Sequence, residues 1–153
     1  MFNALELKIP PVALVFLLGA LMWLVSAYSG FIIAVPWRST FVLIFCIVGF
    51  AIALAGVLTF RRAKTTVNPL TLEATTTMVT WGIYRFTRNP MYLGLRFILA
   101  GWAIHLSNLL AFAFIPLFVW YLNRFQIVPE ERVLEAKFSH AFTAYKCSVR
   151  RWL

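Results

Sequence analysis

Thr40-Phe41-Val42-Leu43-Ile44-Phe45-Cys46-Ile47-Val48-Gly49-Phe50-Ala51-Ile52-Ala53-Leu54-Ala55-Gly56-Val57-Leu58-Thr59-Phe60 carries no charge. A helix needs about 20 mostly apolar residues to cross a bilayer, and this run supplies them. Upstream, Val12 to Tyr28 is a second such run. Downstream, Met91 to Phe125 is too long for one crossing and barely long enough for two. It is expected to form a tight helical hairpin turning near His105, Ser107 and Asn108. The expected spans are therefore about 12–28, 40–60, 91–106 and 108–125, in an all-α integral membrane protein. The composition agrees: 62% of the 153 residues are hydrophobic and 12% charged, against about half and a quarter in a soluble domain. Val25-Ser26-Ala27 would suit a signal-peptide cleavage site. The preceding region is poor for one, because Glu6 offsets Lys8, and the first run is taken as a retained transmembrane helix.

The net charge is +9, without a single Asp. Nucleic-acid binding is one explanation of such a balance. Positions favour another, because the basic residues flank the apolar runs. Arg61, Arg62, Lys64, Arg85 and Arg88 lie between the second and third spans. Arg124, Arg132, Lys137, Lys146, Arg150 and Arg151 follow the fourth. Only Arg38 lies between the first two, and the last hairpin turn has neither Lys nor Arg. Four spans put residues 61–90, the tail 126–153 and the N-terminus on one side, and the positive-inside rule makes that side cytoplasmic. A single domain over 1–153 in a bacterial inner membrane is expected, with both termini in the cytoplasm.

After the fourth span, Val128-Pro129-Glu130-Glu131 has the form of a helix start: proline suits the first position and acidic residues suit the positive end of the dipole. Leu134, Phe138, Ala141, Phe142 and Tyr145 then recur at helical spacing opposite Arg132, Lys137 and Lys146. An amphipathic helix against the membrane or over the bundle is expected.

The polar middle stretch holds the candidate chemistry. Asn89 suits a helix cap and Pro90 a helix start, and the free N–H groups of such an end attract anionic groups. Arg88, Tyr92 and Arg96 follow at four-residue spacing, near one helix face. Arginines at these positions also serve simply to reach headgroups, but Arg96 lies a full turn inside an apolar segment. Glu130 and Glu131 either complement a dipole or bind a cation, and the topology puts them on the same side as Arg88. Arginines on one segment and carboxylates on another suit a zwitterionic ligand. His105 and His140 fall at opposite sides of the membrane, so no metal site is expected. Cys46 and Cys147 lie at different depths, and no disulfide is expected. A glycine-rich nucleotide loop is absent.

The block Val79-Thr80-Trp81-Gly82-Ile83-Tyr84, then Arg88-Asn89-Pro90-Met91-Tyr92-Leu93-Gly94, then Glu130-Glu131 and Phe138…Tyr145 resembles the isoprenylcysteine carboxyl methyltransferase family. The related phospholipid methyltransferases share the broader pattern. The resemblance covers roughly residues 61 to 153. It implies a few transmembrane helices, S-adenosylmethionine as cofactor at the cytoplasmic end, and a lipid, isoprenylated or other hydrophobic substrate, with carboxyl O-methylation as one option. It assigns cofactor contacts to Thr76, Thr77, Met78, Val79, Tyr84, Asn89, Pro90, Met91, Tyr92 and Glu130, with Asn68 a weaker candidate. Arg88, Glu131 and Arg124 are the candidates for catalysis. Two positions depart from the pattern: Asn89 replaces a frequent His, and Gln126 replaces an Arg that holds the substrate carboxylate in the prenylcysteine enzymes. A nicotinamide-dependent membrane reductase and a non-catalytic scaffold are the alternatives. The short cytoplasmic segments leave little room for the larger nicotinamide cofactor.

Overall fold

The computed structural model describes residues 6–63 and 78–153. Among them it is all-helical, with one isolated bridge between Ile32 and Asn108 in place of any strand. The helices are α1 (Pro11–Tyr28), α2 (Arg38–Arg62), α3 (Pro90–Leu106), α4 (Leu109–Phe112), α5 (Phe114–Leu122) and α6 (Val128–Ser148), with a 3₁₀ turn at Gly82–Arg85 before α3. Among the described residues three helical runs are long and apolar enough to cross a membrane: Pro11–Tyr28, Arg38–Arg62 and Leu109–Ser148. At 17 residues α3 is the shortest of the long helices. The turn after it falls where expected. Ser107 takes a left-handed conformation with φ 50°, and the Asn108 side chain accepts from Leu110 N at 2.9 Å.

The core lies where α1, α3, α4 and α5 meet. Met22, Leu99, Ala103, Phe118, Leu122 and Ile127 are essentially inaccessible there. The outward faces of α1 and α2 stay exposed and apolar, with Phe16, Leu43, Ile47 and Phe50 among them, as a lipid-facing surface requires. Small residues bring α2 and α3 together. A Cβ on Gly49 would lie 2.7 Å from the Gly94 carbonyl oxygen, and one on Gly94 would lie 2.7 Å from Ala53 Cβ. Gly94→Ala must therefore push the helices apart and is expected to cost about 1–3 kcal/mol. Gly30→Ala, with nothing within 4 Å, is expected to be neutral. Thermal unfolding of the two variants in detergent checks this.

Two expectations for the C-terminal region are corrected. Val128-Pro129 is not a free helix start. Five residues of π-helix, Asn123–Ile127, join α5 to α6 without a break. A wide π turn tolerates the missing proline N–H, because the i→i−4 ladder is already interrupted there. Nor is α6 one straight amphipathic rod. Ser139 has φ 42° and ψ −115°, and the axis bends there. Lys146 Nζ reaches Glu135 at 3.2 Å, although eleven residues of straight helix would separate them by about 16 Å. The second half thus folds back, burying Phe142 and Tyr145 but leaving Ala141 exposed.

An N-terminal strap holds the π segment. Leu7 N donates to Phe125 O at 3.0 Å, Gln126 Nε2 donates to Ile9 O at 2.6 Å, and Glu6 pairs with Arg124 and Arg132 at 3.0 and 3.4 Å. The start of α1 therefore lies at the same end of the bundle as α6. Arg38 lies at the other end, donating to Ser107 Oγ at 3.3 Å.

Candidate active site

The first turns of α3 meet α6 and the chain end. Arg88, Tyr92 and Arg96 share one face, as their spacing predicts, and each finds a partner on the C-terminal segment. Arg88 Nη2 pairs with Glu131 at 3.0 Å. The Tyr92 hydroxyl donates to Glu130 Oε1. The Arg96 guanidinium lies 5.9 Å from the centre of the Trp152 ring.

Glu131 is held from two sides, because Arg151 Nη2 reaches it at 2.7 Å. Its side chain is 13% exposed and that of Arg88 11%, so this triad is largely out of water. Arg88 also donates through Nη1 to Lys146 O at 3.1 Å, and its backbone N–H to Arg150 O at 3.0 Å. Glu130 differs: no cation pairs with it among the described residues. Burial pushes its carboxyl up to about 8, opposed by the Tyr92 hydroxyl and reinforced by the negative charge of Glu131. The two adjacent carboxylates thus differ in partners: Glu131 faces two arginines, whereas Glu130 faces no cation among the described residues.

The 3₁₀ turn adds aromatic groups. Gly82, at φ 64°, lets the chain turn against Thr59 of α2. Tyr84 then packs on Phe60 with ring centres 5.1 Å apart, and its carbonyl accepts from the Tyr145 hydroxyl at 2.7 Å. Burial, then Tyr145 and Glu130, hold the Tyr84 hydroxyl protonated far above the usual range. Burial likewise pushes Tyr145 up to about 12, against the opposing charge of Arg88. Tyr84 Oη and Arg88 Nε are buried without a hydrogen-bond partner. A buried donor left unpaired is costly, so two donors beside an uncompensated carboxyl mark this as a place for a polar ligand.

Of the residues expected here, Tyr84, Arg88, Tyr92, Glu130 and Glu131 come together. Val79 is buried and Met78 half-buried ahead of the turn. Thr76, Thr77 and Asn68 lie outside the described residues. Pro90 opens α3 with Met91 behind it, and both pack against Gly56 of α2. Asn89 sits at the cap position, but its side chain makes no capping bond. Its Nδ2 donates to Arg151 O at 3.0 Å instead, because the returning chain end offers a carbonyl there. Thr87 Oγ1 donates to the same carbonyl at 3.2 Å. Arg124 is not brought to the cluster, being committed to Glu6. Gln126 is buried and turned to the N-terminal strap. Sequence reasoning missed Arg151 and Trp152 as parts of the site. Their only signal is a basic–aromatic tail, which also describes an ordinary membrane-interface anchor.

The comparisons with known proteins point one way. The family model for phospholipid methyltransferases matches residues 37–141. Protein-S-isoprenylcysteine O-methyltransferase A of Arabidopsis thaliana is 32% identical over 113 residues, which is 74% of this chain and 57% of that protein's length. An uncharacterized protein of Haemophilus influenzae is 46% identical over 63 residues, covering 41% of this chain and all of that protein. No solved structure matches. The matched region holds the first turns of α3 and the acidic pair of α6, and the chain belongs to the phospholipid methyltransferase family.

Proposed function

We propose that this protein transfers a methyl group from S-adenosylmethionine to a lipid, isoprenylated or other hydrophobic substrate at the cytoplasmic face of a bacterial inner membrane. The observation that carries the reading is the meeting of Tyr92 and Arg88 with Glu130 and Glu131 in a chain of this family. The donor set fits the amino-acid end of the cofactor. Glu130, without a cation of its own, suits the ammonium, and the unspent Arg88 Nε and Tyr84 Oη suit the carboxylate. Met78 and Val79 supply apolar wall, with Asn89, Pro90 and Met91 as further contacts, and the family resemblance adds Thr76 and Thr77 as candidates.

When bound, S-adenosylmethionine would supply a methyl group activated by its sulfonium charge, and Glu130, Tyr92, Arg88 and Tyr84 would hold its amino-acid end. The protein's work is then alignment and exclusion of water. Arg88 and Glu131 act by fixing α3 against α6, so that Tyr92 and Glu130 hold their places. A carboxylate nucleophile needs no base, whereas an amine or hydroxyl must lose a proton. Glu131 is engaged by two arginines, Arg88 and Arg151. Arg124 is assigned to the N-terminal strap.

The domain reading is a single unit with four crossings, α3 being the third and α4–α5 the fourth. The site end carries Arg61, Arg62, Arg85, Arg88, Arg124, Arg132, Arg150 and Arg151 against Arg38 at the other, which orients that end to the cytoplasm. The test is transfer of labelled methyl into organic-extractable product by the purified protein with membrane lipids. Label released as methanol by alkali identifies a carboxyl ester, and alkali-stable label an N-methyl product. No transfer by folded protein to phospholipid or prenylcysteine acceptors overturns the reading.

The Glu130 carboxyl carries a pH dependence. It lies beyond the apolar end of the fourth crossing, and it keeps its proton up to about 8. Pairing with an ammonium requires the carboxylate, so binding below that pH releases one proton. Donor affinity is expected to rise about tenfold per pH unit between 6 and 7.5, where an α-amino group is still largely protonated. Glu130→Gln is expected to flatten the profile, and calorimetry at several pH values checks both.

A further inference from the structure

The end of the bundle away from the candidate site is made of two connections. Residues 29–37 join α1 to α2, and residues 107–108 join α3 to α4. Neither holds an Asp, Glu, Lys or Arg. Their large side chains are open: Phe31 is 58% exposed, Ile32 78% and Trp37 80%, with Tyr28 at 88% and Leu109 at 57% beside them. Connections in water carry polar side chains, and an exposed apolar patch marks a surface that meets something else.

The two connections are tied to each other. Ile33 N donates to Ser107 O at 2.8 Å and Leu109 N to Phe31 O at 3.0 Å. Asn108 Nδ2 donates to Ser29 Oγ at 2.8 Å. Backbone polar groups inside a bilayer must find partners within the protein, and these find them across the two connections. The helices that end here are short. α1 has 18 residues and α3 has 17, about 27 and 26 Å at 1.5 Å per residue. The hydrocarbon core is about 30 Å thick. A span shorter than the core draws flanking residues into the bilayer or thins it. Arg38, which opens α2, lies level with the end of α3, since it reaches Ser107 Oγ, and an arginine there extends to the headgroups.

We infer that Phe31, Ile32 and Leu109 form a lipid-binding surface, immersed at the boundary of headgroups and acyl chains in the leaflet opposite the candidate site. Tyr28 and Trp37 sit at its rim, where amphipathic rings favour the membrane–water interface. The partner is lipid rather than another protein because the surface continues the exposed apolar faces of α1 and α2, with Phe16, Leu43 and Ile47 among them. The inference rests on the four-crossing reading and is independent of the reaction.

The test places a nitroxide label at Phe31→Cys, Ile32→Cys or Leu109→Cys in the full chain. Cys46→Ala and Cys147→Ser remove the two free thiols. The proteins are reconstituted in phosphatidylcholine vesicles, and circular dichroism checks that each is folded. Collision of the label with oxygen, which concentrates in hydrocarbon, is compared with collision with a water-soluble nickel chelate. A label at Ile47→Cys, midway along the exposed face of α2, is the hydrocarbon reference. Oxygen is expected to exceed the nickel chelate at all three positions, in the same sense as at Ile47. The substituted side chains are exposed, so the fold is expected to survive each change. A nickel-dominated label at Ile32 and Phe31, with oxygen dominating at Ile47, puts the surface in water and overturns the inference while the crossings stand. Immobile labels that meet neither reagent mean that protein covers the surface, and overturn it too. Nickel dominating at Ile47 as well overturns the four-crossing reading and the inference together.

Discussion

Glu130→Ala is expected to weaken S-adenosylmethionine binding by about a hundredfold while the protein stays folded. Removing one member of a buried, hydrogen-bonded charge pair at an interface costs about 2–5 kcal/mol, and each 1.4 kcal/mol is a factor of about ten. Among the described residues Glu130 is the carboxyl of the cluster without a protein cation, and none of them is placed to replace it. Its removal also relieves the burial that pushes its carboxyl up, which offsets the acceptor lost to Tyr92. Unfolding temperature is therefore expected to change little, and Glu130→Gln, which keeps an acceptor for Tyr92, still less. Calorimetric titration beside a thermal melt separates the two effects. A large loss of stability with unchanged affinity would make Glu130 a structural residue.

Arg88→Ala is expected to have the largest effect on the fold. Its guanidinium joins Glu131 to the Lys146 carbonyl, tying α3 to both halves of the bent α6. Breaking a buried ion pair by removing one partner costs about 3–5 kcal/mol, because the other charge is left behind. Arg151 still pairs with Glu131, which places the expected loss at the lower end, about 3 kcal/mol. Arg88→Lys is expected to recover only part of this, since one ammonium lacks the two separate arms, Nη1 and Nη2, with which the guanidinium reaches the Lys146 carbonyl and Glu131. Arg124→Ala removes a pair whose arginine is 42% exposed, and Arg132 keeps Glu6 engaged. About 0–1 kcal/mol is expected there. Denaturation followed by circular dichroism ranks the three.

These contrasts show what the sequence makes visible. The long apolar helices are legible because crossing a bilayer demands some twenty apolar residues in a row. The turn at Ser107–Asn108 is legible because polar residues interrupt such a run. The meeting of Arg88 and Tyr92 with the acidic pair is legible too. A helical period sets the arginine and tyrosine on one face, and topology puts the glutamates at the same end. The bend at Ser139 is not, since a serine at φ 42° is held by tertiary contacts and leaves no mark on composition. Nor is the return of the chain end. Arg150 and Arg151 accept hydrogen bonds from Arg88, Thr87 and Asn89 through their carbonyls, which every residue carries. The capping role expected of Asn89 fails for this reason: a tertiary acceptor claims the side chain. The directions of Arg124 and Gln126 are not legible either, because the π turn and the N-terminal strap set them.

The central claim is that Glu130, Tyr92 and Arg88 form a binding site for S-adenosylmethionine. Calorimetric titration of the detergent-purified protein with that compound tests it most directly, with Glu130→Ala and Tyr92→Ala beside the wild type. Saturable binding by the wild type that both variants lose is the predicted result. No binding by wild-type protein shown to be folded, or equal binding by all three, contradicts it.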